Sequence, residues 1–146
     1  MTPPSDTFPA DIEKLCTRDS RYAADAYFFL VEALNTTTKK HLKENPNRDR
    51  HVTGQELSEG IRDVALEEFG PMAYTVFSEW GIRSTSDFGE IVYNLIDIGR
   101  LGKTDSDSKA DFNAVFDFDE AFRAPFQPQS NIPATPPKRG KPQATA

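Results

Sequence analysis

At 146 residues the chain has room for one compact domain, and its 37% of apolar residues fall mostly between positions 20 and 122. The formal net charge is −6; residues 1–122 hold 13 basic and 23 acidic side chains, a net of −10, and such a body repels phosphate backbones and anionic membranes. One cysteine, Cys16, excludes an internal disulfide framework, no run reaches the roughly 20 apolar residues of a membrane span, and the N-terminus lacks a signal-peptide pattern, so the expected location is the cytoplasm.

Residues 1–8 read as a flexible leader, and Pro9 opens a short helix to about Thr17 with Ile12, Leu15 and Cys16 on one side. Asp19-Ser20 is a cap candidate for a long helix from Arg21 to about Leu42. In it Tyr22, Ala26, Tyr27, Leu30, Val31 and Leu34 recur at helical spacing, and Lys39, Lys40 and Lys43 suit its C-terminal end. A polar loop, 44–52, leads to Thr53-Gly54-Gln55-Glu56. This is a capping box with Thr53 at N-cap and Glu56 at N3, and Val52 and Leu57 supply the matching hydrophobic staple. That helix runs to Phe69 and stops at Gly70. Pro71 opens another, with Met72, Ala73, Val76, Phe77 and Trp80 as an apolar stripe closed by Gly81. Trp80 reads as core. Asp87 with Glu90 is expected to cap a helix to about Ile98 whose core face is Phe88, Ile91, Val92, Leu95 and Ile96.

Beyond Gly99 the pattern changes. Leu101–Thr104 and Ala114–Phe118 are short strand-like runs either side of an acidic Ser/Asp loop, which predicts a small C-terminal β-hairpin, and Asp119–Phe122 reads as a closing helical turn. From Ala124 onward six of 23 residues are proline, so 123–146 reads as a disordered, Pro-rich basic tail. The expected fold is therefore mainly α: a single domain over 9–122 of about five helices with that hairpin.

Few motifs carry chemistry. Leu101-Gly102-Lys103-Thr104 ends like a phosphate loop, but Asp97 stands where the first glycine belongs and a helix precedes it. Asp105-Ser106-Asp107 begins like a calcium loop, yet Lys109, Ala110 and Phe116 occupy positions that need an oxygen ligand, glycine and glutamate; weak divalent binding at 105–111 is left open. His41, His51 and Cys16 show no metal-ligand spacing and no pairing for nucleophilic catalysis. No catalytic, cofactor or metal site is expected.

Helices over 54–69, 71–80 and 87–98 followed by a hairpin have the order of a winged-helix domain. The would-be recognition helix, however, presents Asp87, Glu90, Asn94 and Asp97, with no positive charge for phosphates or guanine. Direct DNA readout is therefore not expected; Asp87, Glu90, Tyr93, Asn94 and Asp97 form instead a candidate surface for a protein partner.

Several segments together resemble a small family of uncharacterised bacterial proteins carried under a locus-type label beginning "Minf", seen in planctomycete-like and verrucomicrobial bacteria. They are Arg21-Tyr22 with Ala26-Tyr27, His51–Leu57, Phe69–Ala73, Trp80-Gly81-Ile82, Asp87–Val92 and Asp117-Phe118. The resemblance covers about residues 19–122 and excludes the tail. It implies domain limits but no activity.

The leading expectation is a non-enzymatic protein–protein interaction module. Two alternatives stand beside it: an RNA- or ribosome-associated protein anchored by Lys138, Arg139 and Lys141, and a carboxylate-dependent enzyme. The sequence leaves the oligomeric state open.

Overall fold

Apolar spacing, prolines at first turns and glycines at last turns divide the chain into helices, and the computed structural model, which describes residues 7–128, is mainly helical. Its α-helices are α1 (Phe8–Arg18), α2 (Ala24–Glu44), α3 (Gly54–Phe69), α4 (Ala73–Glu79), α5 (Thr85–Asp97) and α6 (Phe118–Phe122). Short 3-10 turns at Gly70–Met72, Lys109–Phe112 and Ala124–Phe126 join or close them. Lys138, Arg139 and Lys141 lie outside the described residues.

The long helix α2 is the spine. It packs against α1, α3 and α5, and buries Ala26, Tyr27, Phe29, Leu30 and Ala33. Alanine at 26 and 33 lets the neighbouring helices approach closely, while Tyr27 and Phe29 fill the space on either side. Tyr27, fully buried, keeps a partner for its hydroxyl, which accepts from Asn94 Nδ2 at 3.1 Å.

Two helix starts differ from expectation by a few residues, for the same reason. Asp19 does not cap α2, which begins at Ala24 with no side-chain cap at Ala23. Its carboxylate is used across the fold instead, accepting from Arg21 Nη2 at 2.7 Å and from Asn94 Nδ2 at 3.0 Å. Asp87 is not the N-cap of α5 but its N3 residue; Ser84 is the N-cap, and Asp87 Oδ2 accepts from Arg83 N at 2.8 Å and Ser84 N at 3.2 Å. Its other oxygen takes the Tyr22 hydroxyl at 2.5 Å, so one carboxylate both closes α5 and ties it to the segment between α1 and α2.

That segment also meets the turn between α4 and α5. Ala23 N donates to Trp80 O at 3.1 Å, and Gly81, at φ 89°, lies so close to Arg21 that a Cβ would stand 2.2 Å from its carbonyl oxygen. Only glycine meets both conditions there. Trp80 is half-buried rather than fully so. Its ring packs on Phe29, Phe69 and Phe77 with centroids 5.5–6.0 Å apart.

The stretch expected to form a hairpin, 101–118, carries no strand among the described residues. Backbone groups there are satisfied by a side chain rather than by a ladder: Thr85 Oγ1, buried in α5, donates to Phe112 O at 2.6 Å and accepts from Val115 N at 3.1 Å. Between those bonds Ala114 turns the chain at φ 50°. The apolar alternation at 116 and 118 belongs instead to the approach to α6, which Asp117 caps by accepting from Glu120 N at 3.1 Å. Phe116, Phe118 and Phe122 then pack edge-on and tilted against Phe77 of α4 and Phe88 of α5, with Phe77 and Phe122 centroids 5.2 Å apart. Period-2 spacing reads as a strand, but three phenylalanines seeking one cluster use it as a bend.

Candidate ligand-binding cleft

The polar residues of α5, expected to face a partner, are largely engaged within the fold. Asp87 holds Tyr22 and the backbone of Arg83 and Ser84. Glu90 pairs with Arg21 at 3.2 Å and with Lys109 at 3.4 Å. Asn94 donates to both Asp19 and Tyr27. Asp97 alone of the five is exposed. These contacts join α5 to the α1–α2 junction, so three of the five side chains, Asp87, Glu90 and Asn94, have hydrogen-bond or ion-pair partners already.

The fifth of the group to be placed, Tyr93, opens a different region. It is half-buried, its hydroxyl is enclosed without a hydrogen-bond partner, and Lys109 Nζ stands 5.8 Å from its ring centroid. Burial, with the negative charges of Asp107 and Asp111 nearby, raises the pKa of that hydroxyl, so it stays protonated and able to donate. Tyr93 lines a half-enclosed cleft of about 310 Å³. The cleft is walled by α2, the loop before α3, the first turn of α3, the last turns of α5 and the 101–112 segment.

Four segments far apart in sequence build this cleft, and each contributes by its own local logic. The capping box sets the start of α3: Thr53 Oγ1 accepts from Glu56 N at 3.1 Å, and Thr53 N donates to Glu56 Oε1 at 3.0 Å. Burial opposes ionisation of Glu56, but the Arg48 guanidinium and Thr53 N–H outweigh it and hold the carboxyl below its usual pKa. With the cap fixed, Val52 and Leu57 both line the cleft, where the buried side chains of Val92 and Phe112 complete an apolar base. Phe112 reaches it because both neighbouring helices have glycine there: a Cβ at Gly54 or at Gly89 would stand 3.1 Å from the Phe112 ring.

The rim is polar and differs in charge from the rest of the molecule. Asn35, Arg50, Gly102, Lys103 and Ser108 are exposed at the mouth. Two carboxylates on the wall are already committed. Asp107 pairs with His51 Nε2 at 3.0 Å and accepts from Thr104 N at 2.8 Å, while Asp111 accepts from Ser108 N at 3.1 Å. The side chains of Arg50 and Lys103 make no ion pair or hydrogen bond among the described residues. An apolar floor beneath two unpaired cations is suited to holding an anion attached to an apolar body.

No Ser, Thr or Cys side chain is hydrogen-bonded to His51, and no group of three or more His, Cys, Asp and Glu converges on a metal-sized point among the described residues. No helix among them is long and apolar enough to cross a membrane. The sequence shows the cleft's parts, including the capping box, Tyr93 and the 105–111 loop. It does not show their meeting, and Arg50 and Lys103 have no motif to mark them. Comparison with known proteins gives no match to a family model, to a curated protein or to a solved structure.

Proposed function

We propose that the protein is a non-enzymatic interaction module that takes an acidic segment of a protein partner at this cleft. One observation carries the reading: two unpaired cations stand at the mouth of an apolar hollow in an otherwise acidic body. Charge complementarity at such a rim steers a partner and fixes its register, while the apolar floor supplies the affinity. The proposed contact thus moves from the polar face of α5, whose side chains are mostly spent internally, to the side of that helix bearing Val92, Tyr93 and Ile96. The order of α3, α4 and α5 serves as scaffold here, and the acidic α5 is not proposed to read DNA. The resemblance to the Minf-labelled bacterial family is kept as a proposal of origin and adds no activity.

The test is affinity capture of the tagged full chain, with and without nuclease, beside the variant R50E/K103E. A stoichiometric protein partner that survives nuclease and is lost from the variant is the expected result. Partners that vanish with nuclease and ignore the variant would replace this reading with the RNA- or ribosome-associated one.

A further inference from the structure

The burial of the cleft's lining runs in one direction. Leu57, Val92 and Phe112 at the base are buried, whereas Arg50 and Lys103 at the mouth are exposed. An occupant must therefore enter with its apolar part first and leave its charge at the rim. The volume, about 310 Å³, sits at the small end of ligand pockets. It suits one compact branched or aromatic group.

The sign and number of charges narrow the head group. Arg50 and Lys103 come from different segments, so each can approach a separate oxygen, and an arginine fork matches a planar carboxylate. The first turn of α3 enters the wall at Gly54, which adds the positive end of a 16-residue helix to the same space. Against this, Asp107 and Asp111 would repel an anion if they were free. His51 and backbone N–H groups already hold both. Tyr93, on the wall, has the one buried hydroxyl of the cleft without a partner. Thr38, also lining the cleft and buried, offers a second small polar surface near the base.

We infer that the cleft is a binding site for a monocarboxylate carried on a compact apolar group, with the carboxylate at Arg50 and Lys103 and the apolar group on Leu57, Val92 and Phe112. Two sources share this chemistry: a small free acid, and the C-terminal residue of a partner chain, whose α-carboxylate adjoins its own side chain. The inference rests on the same cleft as the proposed function and specifies what occupies it.

The experiment is direct titration of the purified full chain, followed by the NMR methyl resonances of Leu57 and Val92. Four probes are used: 4-methylpentanoate, 4-methylpentanol, acetyl-Gly-Gly-Leu as the free acid, and the same tripeptide as its amide. Both acids are expected to shift those methyls saturably, and the alcohol and amide to bind at least about tenfold more weakly, the scale of one lost charge-assisted contact. R50Q and K103Q are each expected to weaken acid binding several-fold, and the double variant to abolish it. Raising ionic strength is expected to weaken it as well. Because both side chains are exposed and make no ion pair or hydrogen bond among the described residues, the variants are expected to keep the thermal midpoint of the parent chain, which separates a lost site from a lost fold. Tighter binding of the tripeptide acid assigns the site to chain termini, and tighter binding of 4-methylpentanoate assigns it to a small acid. Equal binding of acid and alcohol, no saturable shift with either acid, or a double variant that binds as before overturns the inference. Acid binding with no captured partner overturns the interaction reading alone. Capture through the rim with no acid binding overturns this inference alone.

Discussion

Asp19 accepts from the Arg21 guanidinium and from Asn94, and through those two bonds it links the end of α1 to α5. The Arg21 hydrogen bonds hold its carboxyl well below the usual carboxylate range; burial pushes the other way, and Asn94 adds to the lowering. The direction fixes the sign of a pH effect. In the unfolded chain Asp titrates near ~3.9, so on acidification the unfolded state takes up this proton before the folded state does. The stability that Asp19 contributes is therefore complete above about pH 5 and is lost as the pH falls below it. Glu56, also depressed, acts in the same direction. Asp19→Asn is expected to flatten the dependence of the urea midpoint on pH across the acid limb, which equilibrium unfolding at a series of pH values will measure. Thr53 is a simpler case. Thr53→Ala removes the acceptor for Glu56 N and is expected to cost about 1 kcal/mol, read as a lower denaturant midpoint with an unchanged slope.

At the scale of elements, two joints hold the helices together where no regular pairing does. One is the α4–α5 turn, where Gly81→Ala would place a Cβ against Arg21 O and force a side chain into a positive φ. That substitution is expected to destabilise by more than about 1 kcal/mol, with the loss appearing as a lowered thermal midpoint. The other is Thr85, whose hydroxyl serves the backbone on both sides of the Ala114 turn. Thr85→Val keeps the shape and removes both bonds, leaving a buried carbonyl and an N–H without that partner. The expected cost is about 1–3 kcal/mol by denaturant unfolding, with faster amide exchange confined to residues around 112–115. The helices themselves are legible in the sequence because their caps and spacing are local: Thr53 with Glu56, Gly99 at φ 78° after α5, Pro9 in α1. The register of α5 is less so. Ser84, Asp87 and Glu90 all have capping character, and the choice among them is settled by Tyr22, 65 residues away in the chain.

For the whole molecule, the aromatic cluster determines how the chain closes. Phe122, 1% exposed, stacks edge-on against Phe77, Phe116 and Phe118, so the last described helix is part of the core and not an appendage. Phe122→Ala is expected to cost about 3–5 kcal/mol, enough to consume much of the margin of a domain this size; the urea midpoint will show it. The same cluster sets the course of 112–122, which carries no strand among the described residues: composition places phenylalanines at 112, 116, 118 and 122, but only the assembled core says which way each ring turns. The cleft is hidden from the sequence for a related reason. Its cations, Arg50 and Lys103, are 53 positions apart in ordinary loops, and an overall charge of −6 gives no hint that they meet at one mouth.

The slot that receives Phe112 has a consequence for how this sequence can drift. Positions 54 and 89 lie on different helices, and a Cβ at either would crowd the Phe112 ring at 3.1 Å; at 54 it would also stand 2.8 Å from the Asp111 Cβ. Positions 89 and 112 are thus tied in inheritance. A lineage that shrinks residue 112 to a small side chain releases Gly89, while Gly54 stays crowded by the Asp111 Cβ; a lineage that gains a side chain at 89 must shift or give up the ring. Sequences sharing this fold should therefore keep glycine at 89 wherever 112 is aromatic, and those that lose the ring should have lost the apolar base of the cleft along with it.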